Sequence, residues 1–180
     1  MLSHFADGDN GGFYFTSDSA ESLIVRNKEI YDGATPSGNS VAMLNLFRLS
    51  RLTGNTEYEE NAYKTQRAFS KAISETPSAY TQMLNALDFA KGPSTEIVIV
   101  GDLKDHDTKV LLDTLRNIYL PNAIIIFKNI KEPAGTDKIV DFTKDMIEIE
   151  GKATAYVCFN YNCNLPVSNT DEMLNQLQSK

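Results

Sequence analysis

The chain has 180 residues, of which 42% are hydrophobic and 23% are charged, and its formal net charge is −7. This composition is typical of a soluble globular protein, and the acidic balance argues against a nucleic acid or an anionic membrane as partner, because both require a basic patch. The longest apolar runs are too short to cross a bilayer, and the first ten residues lack the basic and apolar regions of a signal peptide. A cytoplasmic location is therefore expected.

Turn-forming residues dominate the beginning of the chain. Residues 7–12 read DGDNGG, which favours a tight turn because Gly and Asn accept a positive φ with little strain. The aromatic run at 13–16 predicts a short strand, and the two stretches together predict an N-terminal β-hairpin. A second turn-rich loop, 33–38, leads into a helix for which Ser37 or Asn39 is available as N-cap.

Three helices are predicted next, over 40–52, over 57–73 and from Pro77 onward. The first is apolar on nearly all sides and is expected to be buried on most of them, whereas the second has a narrower apolar stripe. Gly54 is placed to end the first helix, and proline is tolerated in the first turn of the third. An inner apolar helix paired with an amphipathic outer helix is typical of an α/α-hairpin array.

The pattern changes after residues 92 and 93. Compact apolar runs predict three strands, and their lack of alternation predicts a small parallel sheet that is covered on both faces. We therefore predict an α/β protein in two parts: a helical-hairpin array with an N-terminal β-hairpin over 1–92, and a small parallel sheet with flanking helices over 93–180. The predicted elements of the second part are strands at 96–100, 123–127 and 153–158, helices at 107–119 and 171–178, a loop at 128–145 and a short edge strand at 146–149.

Several stretches of the chain resemble one known family. They are GGFYF at 11–15, YDGATPSGNS at 31–40, LSRLTG at 49–54, EIVIVG at 96–101, ATAYVC at 153–158 and CNLPV at 163–167. Together they resemble the late part of a thioredoxin-domain-containing protein family that includes the spermatogenesis-associated thioredoxin-like proteins and their prokaryotic relatives. The stretch D-G-A-x-P-S-G-N-S is the most specific piece, because no general structural rule requires it.

The resemblance implies an architecture. Members of the family look like an N-terminal thioredoxin-like domain followed by an α/α toroid similar to N-acylglucosamine 2-epimerases and six-hairpin glycosidases. This chain is expected to supply the last hairpins of a partial α/α toroid and the C-terminal lobe, and three helices cannot close a ring. We therefore expect a C-terminal fragment of a larger protein that lacks thioredoxin activity and is not an active enzyme alone. Its expected partner is the upstream part of the same protein or another copy of the chain.

The loop at 31–40 is the strongest candidate for a functional site, because the pocket of an α/α toroid lies where such loops meet the inner helices. Asp32 is the candidate catalytic residue, as a general acid, a base or an acceptor for a sugar hydroxyl. The alternative is that the loop is only a capped turn and that the aromatic run packs in the core. The candidate ligand-binding residues are Phe13, Phe15, Tyr31, Ser37 and Asn39.

Cys158 and Cys163 are the two cysteines of the chain, in a C-x4-C spacing. This is not the C-x-x-C spacing of common redox dithiols, so two free thiols are the first expectation for a reducing compartment. The alternative is a reversible disulfide across a tight loop, with a redox role. With only His4 and His106 in addition, the spacing does not predict a structural zinc site, and neither a metal nor a cofactor is predicted. The turn at 100–102 lacks the nucleotide-binding patterns and is expected to be an ordinary strand-to-helix turn.

Three functions therefore remain open. The first is a toroid fragment that contributes the loop at 31–40 to a carbohydrate-active or epimerase-like site, with a sugar-like small molecule as ligand. The second is a structural or interaction module, because an apolar helix in a truncated array leaves hydrophobic surface to be covered. The third is a thiol-redox accessory that uses Cys158 and Cys163.

Overall fold

The computed structural model describes residues 1–21 and 24–178. Over these residues it contains seven α-helices and a four-stranded sheet, so the prediction of a mixed α/β protein is confirmed. The chain divides into two compact units, one made of residues 1–50 and 55–91 and the other of residues 51–54 and 92–180. We call them the N-terminal unit and the C-terminal unit. No helix within the described ranges is both long enough and apolar enough to span a membrane.

The N-terminal unit consists of helices preceded and joined by irregular segments. Its helices are α1 (Leu2–Phe5), α2 (Gly38–Thr53), α3 (Thr56–Glu75) and α4 (Thr81–Lys91), and the last three residues of α2 are grouped with the C-terminal unit. Both α2 and α3 lie within two residues of their predicted ends. The third predicted helix begins later than expected, because Pro77–Ala79 forms a separate 3₁₀ turn before α4.

Local sequence explains how α2 and α3 are separated and packed. Gly54 has a φ of +72°, which suits glycine after a helix end, and the Asn55 side chain accepts a hydrogen bond from Glu57 N at 2.9 Å to cap α3. Helix α2 buries one face, whereas Val41 and Leu49 are exposed on another. The expectation that α2 is buried on most sides is therefore wrong.

The predicted N-terminal β-hairpin is reduced to a single bridge. Ala6 and Phe13 form an isolated antiparallel bridge around the turn at 7–12, and residues 13–16 form no strand. The physical reason is that the backbone N–H and C=O of Phe13 bond to the side chain of Asn39 instead of to a neighbouring strand. A side-chain amide thus replaces the strand partner that the sequence pattern predicted.

The C-terminal unit contains a mixed sheet with the strand order β2-β1-β3-β4. Its strands are β1 (Thr95–Gly101), β2 (Ala123–Asn129), β3 (Thr154–Phe159) and β4 (Asn162–Cys163). Strands β1 and β2 are parallel, but β3 is antiparallel to both β1 and β4, so the prediction of a parallel sheet is wrong. Val100, near the C-terminal end of β1, pairs with Lys128 and with Thr154, so the connection from β2 to β3 starts and finishes at the same end of the strands. Such a connection makes β3 antiparallel, and an apolar run carries no sign of its direction.

Both faces of the sheet are covered, which explains why all seven residues of β1 are buried. Helices α5 (His106–Arg116) and α7 (Thr170–Gln178) pack on one face, and the segment after β2 packs on the other. That segment was predicted as a loop and instead contains α6 (Pro133–Asp137) and a 3₁₀ turn. The predicted edge strand at 146–149 is wrong, since Ile149 forms only an isolated bridge with Lys152.

Lys128 holds the segment after β2 against the sheet. Its buried Nζ donates hydrogen bonds to the carbonyl oxygens of Thr143 at 2.7 Å and Lys144 at 3.0 Å, and it forms an ion pair with Asp137 at 3.0 Å. A buried ammonium group is tolerated when its charge and its N–H groups are satisfied in this way. The hydrogen bond from Lys128 is the main cause that lowers the pKa of Asp137.

Candidate functional site

The loop at 31–40 enters α2 through a serine cap. The Ser37 hydroxyl accepts a hydrogen bond from Ser40 N at 3.1 Å, and the two hydroxyl oxygens lie 2.8 Å apart. The Ser37 carbonyl accepts from Val41 N at 3.1 Å, so the first amides of the helix are satisfied. Ser37 is therefore the cap, and Asn39, the other candidate, uses its side chain elsewhere.

Asn39 joins the two sequence segments that carry the candidate ligand-binding residues. Its Oδ1 accepts a hydrogen bond from Phe13 N at 2.7 Å, and its Nδ2 donates to the carbonyl oxygens of Phe13 at 2.9 Å and Glu29 at 2.8 Å. Gly12 lies beside the Asn39 amide and has a φ of +77°, and a Cβ at this position would lie 2.9 Å from the ring of Phe69. Glycine is required at this position for both reasons.

Asp32 acts as a cap for a helix that is distant in sequence. One carboxylate oxygen accepts a hydrogen bond from Ser37 N at 2.8 Å, and the other accepts from Gln82 N at 2.9 Å and Met83 N at 3.2 Å. The second pair of amides belongs to the first turn of α4. Asp32 thus fixes both the loop and the start of α4, and its role as a catalytic acid or base stays a prediction.

Two cavities lie along the loops that Asn39 and Asp32 hold. The first has a volume of about 270 Å³ and is lined mainly by the aromatic rings of residues 5, 13, 14 and 15, with Asn39 at its side. The second has a volume of about 620 Å³ and is lined by Phe15 and by residues of the loop from 28 to 38. Phe13, Phe15 and Asn39 line the first cavity, and Phe15, Tyr31 and Ser37 line the second, whereas Asp32 lines neither.

A charged cluster beside the cavities was not identified from the sequence. Asp7 forms an ion pair with Lys28 and accepts hydrogen bonds from the Tyr14 hydroxyl at 2.8 Å and from Asn10 N at 2.9 Å. The hydrogen bond from Lys28 is the main cause that lowers the pKa of Asp7 well below its usual range. Conversely, the hydrogen bond to Asp7 raises the pKa of the Tyr14 hydroxyl. The turn sequence could have indicated that Asp7 accepts hydrogen bonds from the turn amides, but nothing in it indicated that Lys28 is its ion-pair partner.

The cluster sets the electrostatics of the cavity wall. The Arg26 guanidinium lies 4.1 Å from the centroid of the Tyr14 ring and donates to the Thr16 carbonyl at 2.7 Å. Tyr14 lines the first cavity and Lys28 the second. At neutral pH the site therefore offers a protonated phenol, an ionised carboxylate and fixed cations, which suits hydrogen bonding to a polar ligand more than proton abstraction by tyrosine.

The other predicted site residues lie in the C-terminal unit. Cys158 and Cys163 form a disulfide between β3 and β4, so the expectation of two free thiols is wrong. The strand-to-helix turn after β1 is closed by Asp102, which accepts a hydrogen bond from Lys104 N at 2.9 Å. His106 is the exposed first residue of α5. Within 1–21 and 24–178, no group of three or more potential ligands is arranged to hold a metal ion.

Comparison with known proteins identifies relatives whose similarity extends over nearly the whole chain. The chain is 33% identical over 171 residues, or 94% of its length, to human spermatogenesis-associated protein 20. It is 33% identical over 91% of its length to the rat protein of the same name, and 31% identical over 91% to an uncharacterized protein of Caenorhabditis elegans. The chain is homologous to one segment of spermatogenesis-associated protein 20. No protein-family model matches it.

The matched segment is a small part of each relative. The chain covers 22% of the human protein and 21% of the rat protein, so it spans about a fifth of the length of the curated relatives it matches. The similarity to spermatogenesis-associated protein 20 agrees with the family resemblance inferred from the sequence motifs. The thioredoxin-like domain and the toroid that the resemblance implies are finer statements and stay proposals.

Proposed function

We propose that the N-terminal unit contributes a binding surface for a carbohydrate-like small molecule to a larger protein, as part of an α/α toroid similar to N-acylglucosamine 2-epimerases and six-hairpin glycosidases. The observation that carries this proposal is the pair of cavities whose linings include all five candidate ligand-binding residues. These residues come from two loop segments that the Asn39 amide holds together. The site is therefore built into the framework of the unit.

The composition of the cavity walls suits a ligand with both apolar and hydroxyl-bearing faces. Phe15 is 71% exposed and Tyr31 is 68% exposed, so these rings are presented to solvent instead of filling the core. An aromatic ring packs against the C–H face of a sugar, while a small number of placed polar groups bind its hydroxyls. Tyr14, Lys28 and Glu29 supply such polar groups along the two cavities.

The geometry of Asp32 favours binding over turnover by this chain alone. A general acid or base must reach the proton that it transfers, and both oxygens of Asp32 already accept backbone amides. To act on a ligand, the carboxylate would have to release the first turn of α4. In this proposal the loop binds the ligand, and the remaining part of the larger protein supplies the chemistry.

The test is a titration of the chain with N-acetylglucosamine, followed by saturation-transfer NMR. Phe15→Ala and Tyr31→Ala are expected to weaken binding, and Tyr119→Ala, an exposed tyrosine in the C-terminal unit, is the matched control. Loss of one aromatic contact corresponds to about 0.5–1.5 kcal/mol, or about 2- to 10-fold in Kd. Equal binding by Phe15→Ala and Tyr119→Ala would contradict the assignment of these cavities. So would a wild-type chain that fails to bind the probe both alone and with the rest of a relative's chain.

A second candidate function is association with the upstream part of a larger protein or with another copy of the chain. The observation that favours it is a series of exposed apolar side chains in the N-terminal unit, namely Phe15, Ile24, Val25 and Tyr31. Light scattering of the chain alone, and mixed with the separately expressed remainder of a homologue, tests it directly. A mass above that of the monomer in either sample supports association, and a monomer in both contradicts it.

A further inference from the structure

The hairpin of β3 and β4 brings the two cysteines of the C-terminal unit together. Its two-residue turn, Asn160 and Tyr161, has positive φ values of 49° and 66°, which is the backbone conformation of a tight hairpin turn. The strand register then places Cys158 directly opposite Cys163, and the two residues form a disulfide. The pairing of these cysteines is therefore set by the local fold.

The two halves of the disulfide have different surroundings. Cys158 is 0% exposed and belongs to the apolar cluster of Val98, Val100 and Ile126 on one face of the sheet. Cys163 is exposed and lies on β4, the short strand at the edge of the sheet. In an attack by an external thiolate, the accessible sulfur would therefore be that of Cys163, and the leaving group would be the sulfur of Cys158.

A buried carboxyl group lies beside the inner sulfur. Glu96 of β1 is paired with Cys158 in the antiparallel register, which places both side chains on the same face with Cβ atoms about 4.5–5.5 Å apart. The Glu96 side chain is fully buried and accepts hydrogen bonds from Tyr161 N at 3.1 Å and the Ser94 hydroxyl at 3.3 Å. Burial raises the pKa of Glu96, against smaller opposing effects of the Tyr161 amide and of Arg51. Burial of the carboxyl group next to the disulfide thus opposes its ionisation.

The other ionisable groups on this face have partners of their own. The Arg51 guanidinium lies 5.3 Å from the centroid of the Tyr161 ring. Lys128 of β2, which pairs with Val100, is held by Asp137 and by two carbonyl oxygens. The Tyr156 hydroxyl bonds to the backbone at residue 147. Glu96 is the acid that the strand register sets opposite Cys158, and one of its oxygens accepts from the Ser94 hydroxyl, which, unlike a backbone amide, can also turn to accept.

We propose that the Cys158–Cys163 disulfide is a thiol–disulfide exchange site for a thiol compound, with Glu96 as the proton donor to Cys158. A thiolate attacks the Cys163 sulfur, a new S–S bond forms there, and the bond between the cysteines breaks with its electron pair on the Cys158 sulfur. That sulfur takes the proton of Glu96, which regains one from water. A second thiolate then attacks the external sulfur of the mixed disulfide, and Cys163 leaves as a thiolate that water protonates. Two thiols are oxidised to one disulfide, and the protein disulfide is reduced.

The rate of reduction by glutathione, measured by alkylation quench and mass spectrometry between pH 6 and 9, tests this proposal. Rates are divided by the concentration of glutathione thiolate, so that titration of the reagent does not enter. Glu96→Gln is expected to slow the reaction at pH 6 by about 10-fold or more and to flatten its pH dependence, since a placed acid accelerates such a step. Glu148→Gln is the matched control, because burial also raises the pKa of Glu148. Equal rates for Glu96→Gln and wild type would overturn the role of Glu96.

A second experiment keeps the proposal testable if Glu96→Gln fails to fold. Cys158→Ser, incubated with glutathione disulfide, is expected to form a stable mixed disulfide at Cys163, because no second protein thiol is present to displace it. Cys163→Ser is expected to react at least 10-fold more slowly, because its remaining sulfur is buried. Equal modification of the two variants, or none in either, would overturn the exchange site.

Discussion

Removing the carboxylate of Asp32 separates a structural role from a catalytic one. Asp32→Ala deletes three hydrogen bonds that backbone amides donate to the carboxylate. Two of the donors, the amides of Ser37 and Met83, belong to buried residues. A hydrogen bond to a charged group contributes about 1.5–3 kcal/mol, and loss of an N-cap alone costs about 0.5–2 kcal/mol. Since water can reach the half-buried Gln82 amide, we expect a total destabilisation of the N-terminal unit of about 3 kcal/mol.

The assay is native-state hydrogen exchange of α4, because two compact units need not unfold together and a global transition would mix them. A loss of about 3 kcal/mol accelerates exchange of the α4 amides by about 100-fold. Asp32→Asn should give an intermediate effect, because one of its two oxygens is replaced by a donor. Asp9→Ala, an exposed aspartate, should change exchange little. Exchange in Asp32→Ala that matches Asp9→Ala would refute the capping role and return Asp32 to the catalytic candidates.

Two further predictions concern charged groups with buried or partly buried partners. Because the folded-state pKa of Asp7 is lowered, its ion pair with Lys28 stabilises the protein above about pH 4 and is lost as pH falls toward the folded pKa. Acid unfolding followed by circular dichroism should therefore show a steeper loss of stability below pH 4 in wild type than in Asp7→Asn, and equal slopes would contradict this. In the C-terminal unit, Lys128→Met should destabilise by about 1–3 kcal/mol in urea unfolding, because the carbonyl oxygens of Thr143 and Lys144 lose their donor and Asp137 loses its cation. Lys138→Met, at an exposed lysine, is its control, and equal urea midpoints for the two variants would contradict the stabilising role of Lys128.

Local sequence patterns were sufficient for the elements but not for their arrangement. Capping residues and helical periodicity placed α2 and α3 within two residues of their ends. The three apolar strands were found, but their direction was not, because burial on both faces removes the alternation that would indicate orientation. The segment after β2 was taken for a loop because the charges that hold it, Lys128 and Asp137, are nine residues apart and have no local signature.

The candidate site shows the same limit. Turn composition pointed to the loop at 31–40 and to Ser37 as a cap. The roles of Asn39 and Asp32 depend on partners 26 and 50 residues away, and no periodicity connects such positions. The disulfide was only the second expectation for a related reason, because the turn at 160 and 161 requires positive φ from an asparagine and a tyrosine, of which only asparagine signals it.

Asn39 and Asp32 hold the loops of the N-terminal unit through main-chain atoms alone. A peptide group offers the same donor and acceptor whatever side chain it carries, except that proline has no N–H to donate. Exchange of the side chains at Phe13 or Glu29 therefore leaves these bonds intact. The exposed rings of Phe15 and Tyr31 make none of these bonds, so they can change while the frame is retained, whereas Ser37 and Asn39 line the cavities and also belong to the frame. Part of the ligand preference is thus encoded at positions that the frame does not fix, and substitutions there are expected to change what the cavities admit.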